Sequence, residues 1–444
     1  MNIILSTKKT LLFLGDIIVL YLALYLTLGL RYGWPMEREI MDNHLIPFSL
    51  VFLVWLVVFF INDFYDLRTS YNAKNLLDVL IRLSVINGLI AVVAFYFFSP
   101  FLGAIKPQRI LLIDLGVSLV LLFLWRRIFF NFIKSANITN NVLIIGRTPL
   151  AESLEAEINR RPQLGYRASI IDQAPEDLGI YCLEKNINIL ISAHDLKNNN
   201  ETSRKIFNCL SLGVDVYNIY SFFENITNRV PVEYIEHSWF LENLAEHSKK
   251  TYEIGKRTMD LAFAIVGLVV AIPLTPLIAL VIRLESKGPV IFKQIRTGKN
   301  GKAFLAMKFR SMVDNAEKNG PQWAQKNDPR VTKFGSLMRK TRLDEIPQLF
   351  NILKGEMSFV GPRPERPEFI EILEKEIPFY RERLLVKPGL TGWAQLNGPA
   401  YGGSKEETWE KIKYDLYYIK NRSLILDLGI ILKTVKVAFS KRGQ

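Results

Sequence analysis

The sequence predicts a membrane protein in three parts: an N-terminal four-helix transmembrane bundle, a central α/β domain, and a basic C-terminal α+β domain with a re-entrant membrane helix and interfacial helices. Four apolar segments of about 20 residues each occupy the first third of the chain. The middle third alternates strand-like and helix-like runs, and a fifth apolar segment further on is interrupted by two prolines. Hydrophobic residues make up 49% of the 444 residues and charged residues 22%, a mixture typical of membrane spans joined to water-exposed domains.

The predicted bundle covers residues 1–135. Its apolar segments run approximately over 11–30, 46–61, 76–98 and 110–130. Basic residues precede the first segment and end the fourth, namely Lys8, Lys9, Arg126, Arg127 and Lys134. An even number of spans with positive charge at both ends places both ends of the bundle in the cytoplasm. Asp16 lies inside the first segment, and because an isolated carboxylate is costly there, we expect it to face the bundle interior and pair with another helix.

The central domain is predicted over residues 136–236. Strand-like runs occur at 141–145, 166–172, 187–192 and 214–217, with helices near 149–159 and 203–212. This alternation is typical of an open Rossmann-like sheet. The first turn keeps Gly146 but lacks the second and third glycines of the G-x-G-x-x-G dinucleotide fingerprint, so we interpret the domain as a degenerate scaffold or regulatory module. A polar linker is predicted over 237–250.

The fifth apolar segment, 261–282, contains no charged residue and is long enough to span a membrane. Pro273 and Pro276 lie in its middle, where each removes a helix hydrogen bond. A kinked crossing would carry everything after Arg283 to the far side, whereas a re-entrant hairpin would return it to the side of entry. The chain beyond is rich in Lys and Arg, which favours the cytoplasmic face. We therefore predict a re-entrant helix at about 258–284.

Composition excludes several kinds of site. The only cysteines, Cys182 and Cys209, form no C-x-x-C pair, which argues against a disulfide framework and a zinc cluster. All four histidines precede the C-terminal motifs and none forms an H-E-x-x-H pattern, so chemistry based on a histidine base is not expected. The net charge of +13 fits nucleic acid, an anionic membrane or a phosphorylated substrate, and the apolar segments favour the membrane.

Candidate chemistry centres on the adjacent carboxylates Asp344 and Glu345. One interpretation makes them first-turn acids that complement a helix dipole. Nearby, Arg363 is held between two prolines in Gly361-Pro-Arg-Pro364, and Arg339 lies five residues before Asp344. Each feature alone is compatible with ordinary turns and solvated arginines. Together, paired acids, basic clamps and the absence of a nearby histidine indicate phosphoryl chemistry with a metal.

Residues 256–439 resemble the bacterial sugar transferases, the polyprenyl-phosphate hexose-1-phosphate transferase family. The motifs follow the order found in that family, and the four spans with a Rossmann-like module resemble its longer members. The motifs that carry the resemblance are Lys256-Arg-Thr-Met-Asp260, the proline-broken segment, Pro289-Val-Ile-Phe292, Lys308-Phe-Arg-Ser-Met312, Leu343-Asp-Glu-Ile-Pro-Gln-Leu-Phe-Asn351, Met357-Ser-Phe-Val-Gly-Pro-Arg-Pro364, Lys387-Pro-Gly-Leu-Thr-Gly-Trp393 and Tyr414-Asp-Leu-Tyr-Tyr-Ile-Lys-Asn421. Where the family usually has Ser-Pro at the helix break, this chain has Ile272-Pro273, followed by Thr275-Pro276.

The resemblance implies a reaction for the C-terminal domain, residues 251–444. A UDP-sugar would transfer its sugar-1-phosphate to undecaprenyl phosphate and release UMP, through a covalent aspartyl-phosphosugar intermediate. Asp344 would be the nucleophile and Glu345 its partner, associated with Mg²⁺ as the metal ligand. The candidate phosphate- and substrate-binding residues are Arg339, Arg363, Lys308, Arg310 and Asp415.

The resemblance also implies a place in the cell and a set of partners. We expect an inner-membrane protein with its catalytic domain on the cytoplasmic face, initiating O-antigen, capsule or exopolysaccharide repeat units. Its partners would be the UDP-sugar, undecaprenyl phosphate and membrane lipids, with no nucleic acid, and the longer members suggest a homodimer. Two alternatives stay open: a UDP-sugar glycosyltransferase, although no D-x-D motif is present, and a non-catalytic scaffold of a polysaccharide assembly complex.

Overall fold

The computed structural model describes residues 3–68, 73–98, 108–134, 139–193, 200–244, 249–314, 316, 328–399 and 404–439. The chain forms two compact units, residues 1–227 and residues 228–444. The first holds the N-terminal helices and the central sheet, and the second holds the motifs that carry the predicted chemistry. The predicted limits of the individual domains stay predictions.

Four long apolar helices open the first unit, as predicted. Segments of the first three are long and apolar enough to cross a membrane, over Thr7–Tyr32, Arg38–Ile61 and Lys74–Phe97. Apolar side chains lie both between the helices and on their outward faces, which is the pattern of helices surrounded by lipid. The helices are α1 (Ile3–Tyr32), α2 (Arg38–Ile61), α3 (Ala73–Phe98) and α4 (Gln108–Lys134).

A fully buried ion pair joins α1 to α4. The Asp16 carboxylate lies 2.5 Å from Nη2 of Arg126, and neither side chain is exposed. Arg126 also donates through Nη1 to the carbonyl of Phe64 at 2.8 Å, and its guanidinium carbon lies 3.9 Å from the centre of the Phe64 ring. The expectation that Asp16 faces the interior and pairs with another helix is therefore confirmed.

The central region is a four-stranded parallel sheet, which confirms the predicted α/β class. Its strand order is β2-β1-β3-β4, so β2 and β3 pair with opposite edges of β1. That order is the flavodoxin-like variant of the doubly wound sheet, not the 3-2-1-4 order of dinucleotide-binding folds. The elements are β1 (Asn140–Ile145), α5 (Pro149–Asn159), β2 (Tyr166–Ile171), α6 (Leu178–Glu184), β3 (Ile187–Ser192), α7 (Asn200–Leu210), β4 (Asp215–Asn218) and α8 (Ile219–Thr227).

The sheet and the helical bundle share a hydrophobic core within the first unit. Leu12 of α1 and Phe129 and Ile133 of α4 are buried against the same cluster as Val142 of β1 and Leu154 of α5. The Lys8 ammonium adds a hydrogen bond to the carbonyl of Leu164 at 3.0 Å. This end of the bundle therefore packs directly on one face of the sheet.

In the turn after β1, groups of the protein itself cap the N-terminus of α5. Gly146 adopts φ of +101°, the Thr148 hydroxyl accepts the N–H of Ala151 at 3.2 Å, and Pro149 occupies the first turn of α5. Helix N-termini bind phosphate through exposed N–H groups. Here one of those groups is capped and proline removes another, which agrees with the degenerate glycine pattern.

The second unit combines helices with two small sheets. Strands β5 and β6 form an antiparallel hairpin, and β7 pairs in parallel with β8. A short helix, α9, lies within the segment predicted to be a linker. The elements are α9 (His237–Asn243), α10 (Lys250–Ala271), α11 (Thr275–Glu285), β5 (Ile291–Thr297), β6 (Ala303–Phe309), α12 (Lys333–Thr341), α13 (Gln348–Lys354), β7 (Ser358–Val360), α14 (Pro367–Glu376), β8 (Gly389–Thr391), α15 (Trp393–Asn397), α16 (Lys405–Asn421) and α17 (Leu424–Phe439).

The proline-broken segment consists of α10, a single 3₁₀ turn at Ile272–Leu274, and α11. Prolines cannot donate a backbone hydrogen bond, so carbonyls at the break need other donors. Thr275 supplies two of them: its N–H bonds the carbonyl of Ile272, and its hydroxyl bonds the carbonyl of Ala271 at 3.0 Å. Thr275 therefore satisfies main-chain groups at a break where this chain has Ile272 in place of the family's serine.

Candidate active site

The two candidate carboxylates lie on a tight turn between α12 and α13. Helix α12 ends at Arg342, whose φ of +59° places it in the left-handed region, and the chain then forms a single 3₁₀ turn at Leu343–Glu345. Asp344 is 6% exposed and Glu345 is 5% exposed. Acids that only complement a helix dipole are usually solvated. Burial of both carboxylates on a separate turn argues for a site and against that simpler interpretation.

Glu345 is surrounded by three cations. Its Oε1 accepts hydrogen bonds from Lys308 Nζ at 2.9 Å and Arg363 Nη2 at 3.2 Å, and its Oε2 lies 3.3 Å from Arg342 Nη1. Burial alone would raise the pKa of Glu345, but the charges of these three residues hold that pKa below its ordinary value. Glu345 therefore stays ionised and organises the cations around it.

Asp344 has the opposite surroundings. Within the part of the chain that the structure describes, its carboxylate accepts no hydrogen bond and forms no ion pair within 4.0 Å. Burial raises the pKa of Asp344, and the charges of Lys308 and Arg339 offset part of that effect. A buried carboxylate without donors keeps its lone pairs available, as a nucleophile requires.

The other basic residues predicted for the site divide into two groups. Lys308 and Arg363 both contact Glu345. Arg339 donates from Nε to the Ser311 hydroxyl at 2.9 Å, and its positive charge lowers the pKa of Asp344. Arg310 faces elsewhere: its guanidinium donates to the carbonyls of Ser286 at 2.6 Å and Lys287 at 2.9 Å. The structure thus gives Arg310 a bond to the loop after α11, and a role in binding substrate stays a prediction.

Asp415 is linked to the site through an arginine that the sequence did not single out. Its Oδ2 lies 3.0 Å from Nη2 of Arg383, which also donates to the carbonyl of Arg363 at 2.9 Å. Nη1 of Arg383 donates to the Tyr380 hydroxyl at 2.6 Å. Asp415 therefore holds Arg383, and Arg383 holds the backbone of the Arg363 loop. Only this through-space link identifies Arg383, since its neighbourhood has no recognisable pattern.

The Arg363 loop is also fixed by close contact between β7 and β8. The N–H of Gly389 bonds the carbonyl of Pro362 at 2.9 Å, and the N–H of Gly361 bonds that of Thr391 at 2.9 Å. A Cβ on Gly361 would lie 2.3 Å from the Lys387 carbonyl oxygen, so a side chain there would collide with backbone. The Arg363 side chain nevertheless remains 43% exposed, which leaves its outer face open to a ligand.

A magnesium ion at this site stays a prediction, and it would have to share its coordination with phosphates. Among the described residues no group of three or more His, Cys, Asp or Glu side chains is arranged to hold a metal. Mg²⁺ at phosphate sites commonly uses only one or two carboxylates, with substrate oxygens and water completing the shell. The donor-free oxygens of Asp344 and the longer 3.3 Å contact at Oε2 of Glu345 are compatible with that arrangement.

Known proteins resemble part of this chain in sequence. The sequence profile described as bacterial sugar transferase matches residues 251–441. The UDP-N-acetylgalactosamine-undecaprenyl-phosphate N-acetylgalactosaminephosphotransferase of Aeromonas hydrophila is 41% identical over 243 residues, which is 55% of this chain and 56% of that protein. The UDP-glucose:undecaprenyl-phosphate glucose-1-phosphate transferase of Xanthomonas campestris pv. campestris is 44% identical over 185 residues, 41% of this chain and 38% of that protein.

A shorter relative is matched over nearly its whole length. The exopolysaccharide production protein PSS of Rhizobium leguminosarum bv. phaseoli is 42% identical over 196 residues, 43% of this chain and 96% of that protein. Its match corresponds in extent to the C-terminal unit alone. The buried acid pair, the cations around it and these matches lead to one conclusion: the chain belongs to the bacterial sugar transferase family.

Proposed function

We propose that this protein transfers a sugar-1-phosphate from a UDP-sugar to undecaprenyl phosphate and releases UMP, so starting a polysaccharide repeat unit such as O-antigen, capsule or exopolysaccharide. The observation that carries the proposal is the buried, donor-free carboxylate of Asp344 beside a glutamate that is neutralised by three cations. The names of the Aeromonas and Xanthomonas relatives support the donor and acceptor classes.

The reaction proceeds in two phosphoryl transfers. A carboxylate oxygen of Asp344 attacks the phosphorus that bears the sugar, the bond from that phosphorus to UMP breaks, and UMP leaves with the electron pair. A phosphate oxygen of undecaprenyl phosphate then attacks the same phosphorus and displaces the Asp344 carboxylate. Each step exchanges one phosphorus–oxygen bond for another, and the covalent intermediate predicts ping-pong kinetics.

The cations have separate tasks in this scheme. Arg363, whose side chain is partly exposed, and Arg339 neutralise charge that develops on the phosphoryl oxygens. Lys308 keeps Glu345 charged and lowers the cost of ionising the buried Asp344. A bound Mg²⁺, held by Glu345 and substrate oxygens, would supply further neutralisation of the diphosphate.

The proline-broken segment gives the site access to a lipid-anchored acceptor if it enters the membrane as a re-entrant hairpin. Both of its ends are held by the same unit: Arg257 donates to the carbonyls of Ile352 and Leu353 at 2.6 and 2.7 Å, and Glu285 accepts the N–H of Phe334 at 2.9 Å. The segment of 36 residues is long enough to cross a membrane. A crossing would separate its ends, so these anchors support a return to the cytoplasmic face of the inner membrane.

The reaction is tested with full-length protein in nanodiscs, supplied with Mg²⁺, undecaprenyl phosphate and a panel of UDP-sugars. We expect UMP release with one donor, which also identifies the sugar, and no release from the Asp344→Asn variant. Release of UDP instead of UMP would place the protein among glycosyltransferases. Absence of any product, together with polysaccharide production by cells that carry Asp344→Asn, would leave the scaffold interpretation.

The re-entrant helix is tested by the double change Pro273→Ala and Pro276→Ala. Restoring backbone donors at the break favours a straight helix and should misplace the site, so UMP release should fall steeply. Cysteine accessibility at Lys287 and Lys250, each replaced by cysteine, reports whether both ends stay on one side. Full turnover with unchanged accessibility in the double variant would contradict the importance of the break.

A further inference from the structure

A second basic cavity lies in the C-terminal unit, and its lining shares no residue with the cations around Glu345. It is shallow and open to solvent, and it lies where α10, α16 and the chain before β8 meet. Four cations and two carboxylates line it beside apolar and aromatic groups. The charged lining residues are Glu253, Lys256, Arg257, Asp260, Lys387 and Arg422.

Two of the four cations are matched by carboxylates. Lys256 Nζ lies 2.7 Å from the buried Asp427, which also accepts the Tyr252 and Tyr418 hydroxyls at 2.8 Å each. Arg422 lies 3.5 Å from Glu253.

The remaining carboxylate is already used by neighbouring donors. Asp260 accepts the Ser358 hydroxyl and the Phe359 N–H, each at 3.0 Å. Within the described residues, neither of the other two cations, Arg257 and Lys387, forms a direct ion pair with a carboxylate.

Arg257 and Lys387 are the two lining cations that lack a direct ion pair among the described residues. The Arg257 guanidinium donates hydrogen bonds to the carbonyls of Ile352 and Leu353. The Lys387 side chain makes no hydrogen bond or ion pair with any residue that the structure describes. The two charges are close together, because a Cβ on Gly355 would lie 3.5 Å from Lys387 Nζ and 3.7 Å from the Arg257 guanidinium. Burial and the neighbouring Arg257 both lower the pKa of Lys387, and the charges of Asp260 and Glu253 offset part of that effect. Two neighbouring cations without a direct ion pair favour an anionic ligand between them.

The surroundings of the cavity add an apolar component. Ile254 lies one helical turn from Arg257 and is 71% exposed, and Ile425, at the start of α17, is 86% exposed. Helix α10 continues from here into its apolar stretch, so the cavity opens beside the segment that we place in the membrane. A ligand with an anionic head and an apolar tail would match both kinds of surface.

We propose that Lys387 and Arg257 form a binding site for a phosphate ester, distinct from the site at Asp344, in which the phosphate lies between the two cations. The phosphate can come from the headgroup of an anionic lipid or from a free phosphate. The site needs no turnover, so its existence is independent of the transfer reaction.

Binding is measured by calorimetric titration of the full-length protein in detergent micelles. The probes are a short-chain phosphatidic acid, inorganic phosphate, and a phosphatidylcholine of the same chain length. Lys387→Gln is the diagnostic variant because Lys387 makes no bond that folding would lose. Lys354→Gln is the matched control, since it removes an exposed positive charge next to Gly355 but outside the cavity lining.

We expect phosphatidic acid to bind and Lys387→Gln to weaken it about 10-fold or more, the size of one charge-assisted hydrogen bond, while Lys354→Gln changes little. Weak binding of inorganic phosphate with the same dependence on Lys387 identifies a lipid as the ligand, and equal binding identifies free phosphate. Equal affinity of Lys387→Gln and wild type would overturn the proposal. A loss that follows Arg363→Gln instead would assign the anion to the Asp344 site and overturn it as well.

Discussion

The interior of the helical bundle and the candidate active site both bury charged side chains, but they balance them differently. In the bundle one carboxylate meets one guanidinium, Asp16 and Arg126, at 2.5 Å and without exposure. At the candidate site two carboxylates face four cations, namely Lys308, Arg339, Arg342 and Arg363. The first cluster is neutral as it stands, whereas the second has an excess of positive charge.

This difference indicates what each cluster is for. A neutral buried pair adds a specific link between helices and needs no further charge to balance it. Under the proposed function, a cluster with more cations than carboxylates, in which Asp344 has no hydrogen-bond donor among the described residues, is completed by an anionic ligand. Phosphate groups of a donor and an acceptor are such anions. Stability and reactivity are thus separated between two regions of one chain.

The sharpest test of this comparison is Asp344→Asn. It keeps the shape of the side chain but removes the nucleophile, so we expect UMP release to fall by about 10⁴-fold or more. Because the change also removes a buried charge without a donor, the melting temperature should not fall and is expected to rise. Thermal unfolding in detergent and the UMP assay measure the two effects on the same preparation. A large loss of stability would show that Asp344 is a structural acid.

The next largest effect is expected in the bundle. Asp16→Leu leaves the Arg126 guanidinium buried without its counter-ion, which should lower the free energy of unfolding by about 3–5 kcal/mol. The double change Asp16→Leu and Arg126→Met removes both charges and should recover most of that loss. UMP release per folded molecule should stay near wild type in both. Equal instability of the single and double variants would contradict a self-contained pair.

Arg383 should show an intermediate effect. Arg383→Met leaves Asp415 unpaired and releases the backbone of Arg363, so we expect kcat to fall about 100-fold through misplacement of the phosphate clamp. KM should change less, and Arg383→Lys should restore part of the rate. Arg381→Met, at an exposed position two residues away, is the control. A change in KM alone would show that Arg383 contacts substrate and does not act through Arg363.

The smallest expected effect is a shift in the pH dependence of kcat/KM. Burial raises the pKa of Asp344, so its reactive ionised form is lost as the pH falls through that raised value, above the range of an ordinary aspartate. On the acid side of the pH profile, kcat/KM should therefore begin to fall at a higher pH than the ordinary pKa of an aspartate would predict. Lys308→Met removes a charge that opposes this shift, and it should move this fall to still higher pH. A fall that moves to lower pH would contradict the assignment.

Local patterns predicted several elements well. Helix α5 begins and ends where the sequence placed it, because Thr148 caps it and Pro149 fits only its first turn. Strand β3 also matches its predicted limits. These elements depend on the residues within them and next to them, which is the information that periodicity carries.

The site was predicted less completely, because the sequence does not show which way a side chain points or which distant residues it contacts. Arg310 lies two residues after Lys308, but β6 ends at Phe309, so the chain turns and Arg310 bonds the loop after α11 instead of Glu345. Arg342 was missed because its left-handed conformation is what turns its side chain toward Glu345. Arg383 was missed because its partners lie 20 and 32 residues away in sequence, with no local signal.

The sequence by itself determined the four apolar helices, the α/β class of the central region and the proline-broken segment, because length and periodicity are local properties of the chain. Only the tertiary structure decided which charges are paired. It joined Asp16 to Arg126 across 110 residues, gathered three cations on Glu345, and gave Asp344 no hydrogen-bond donor among the residues it describes. Ion pairing and burial depend on distances through space, and the order of residues along the chain does not fix them.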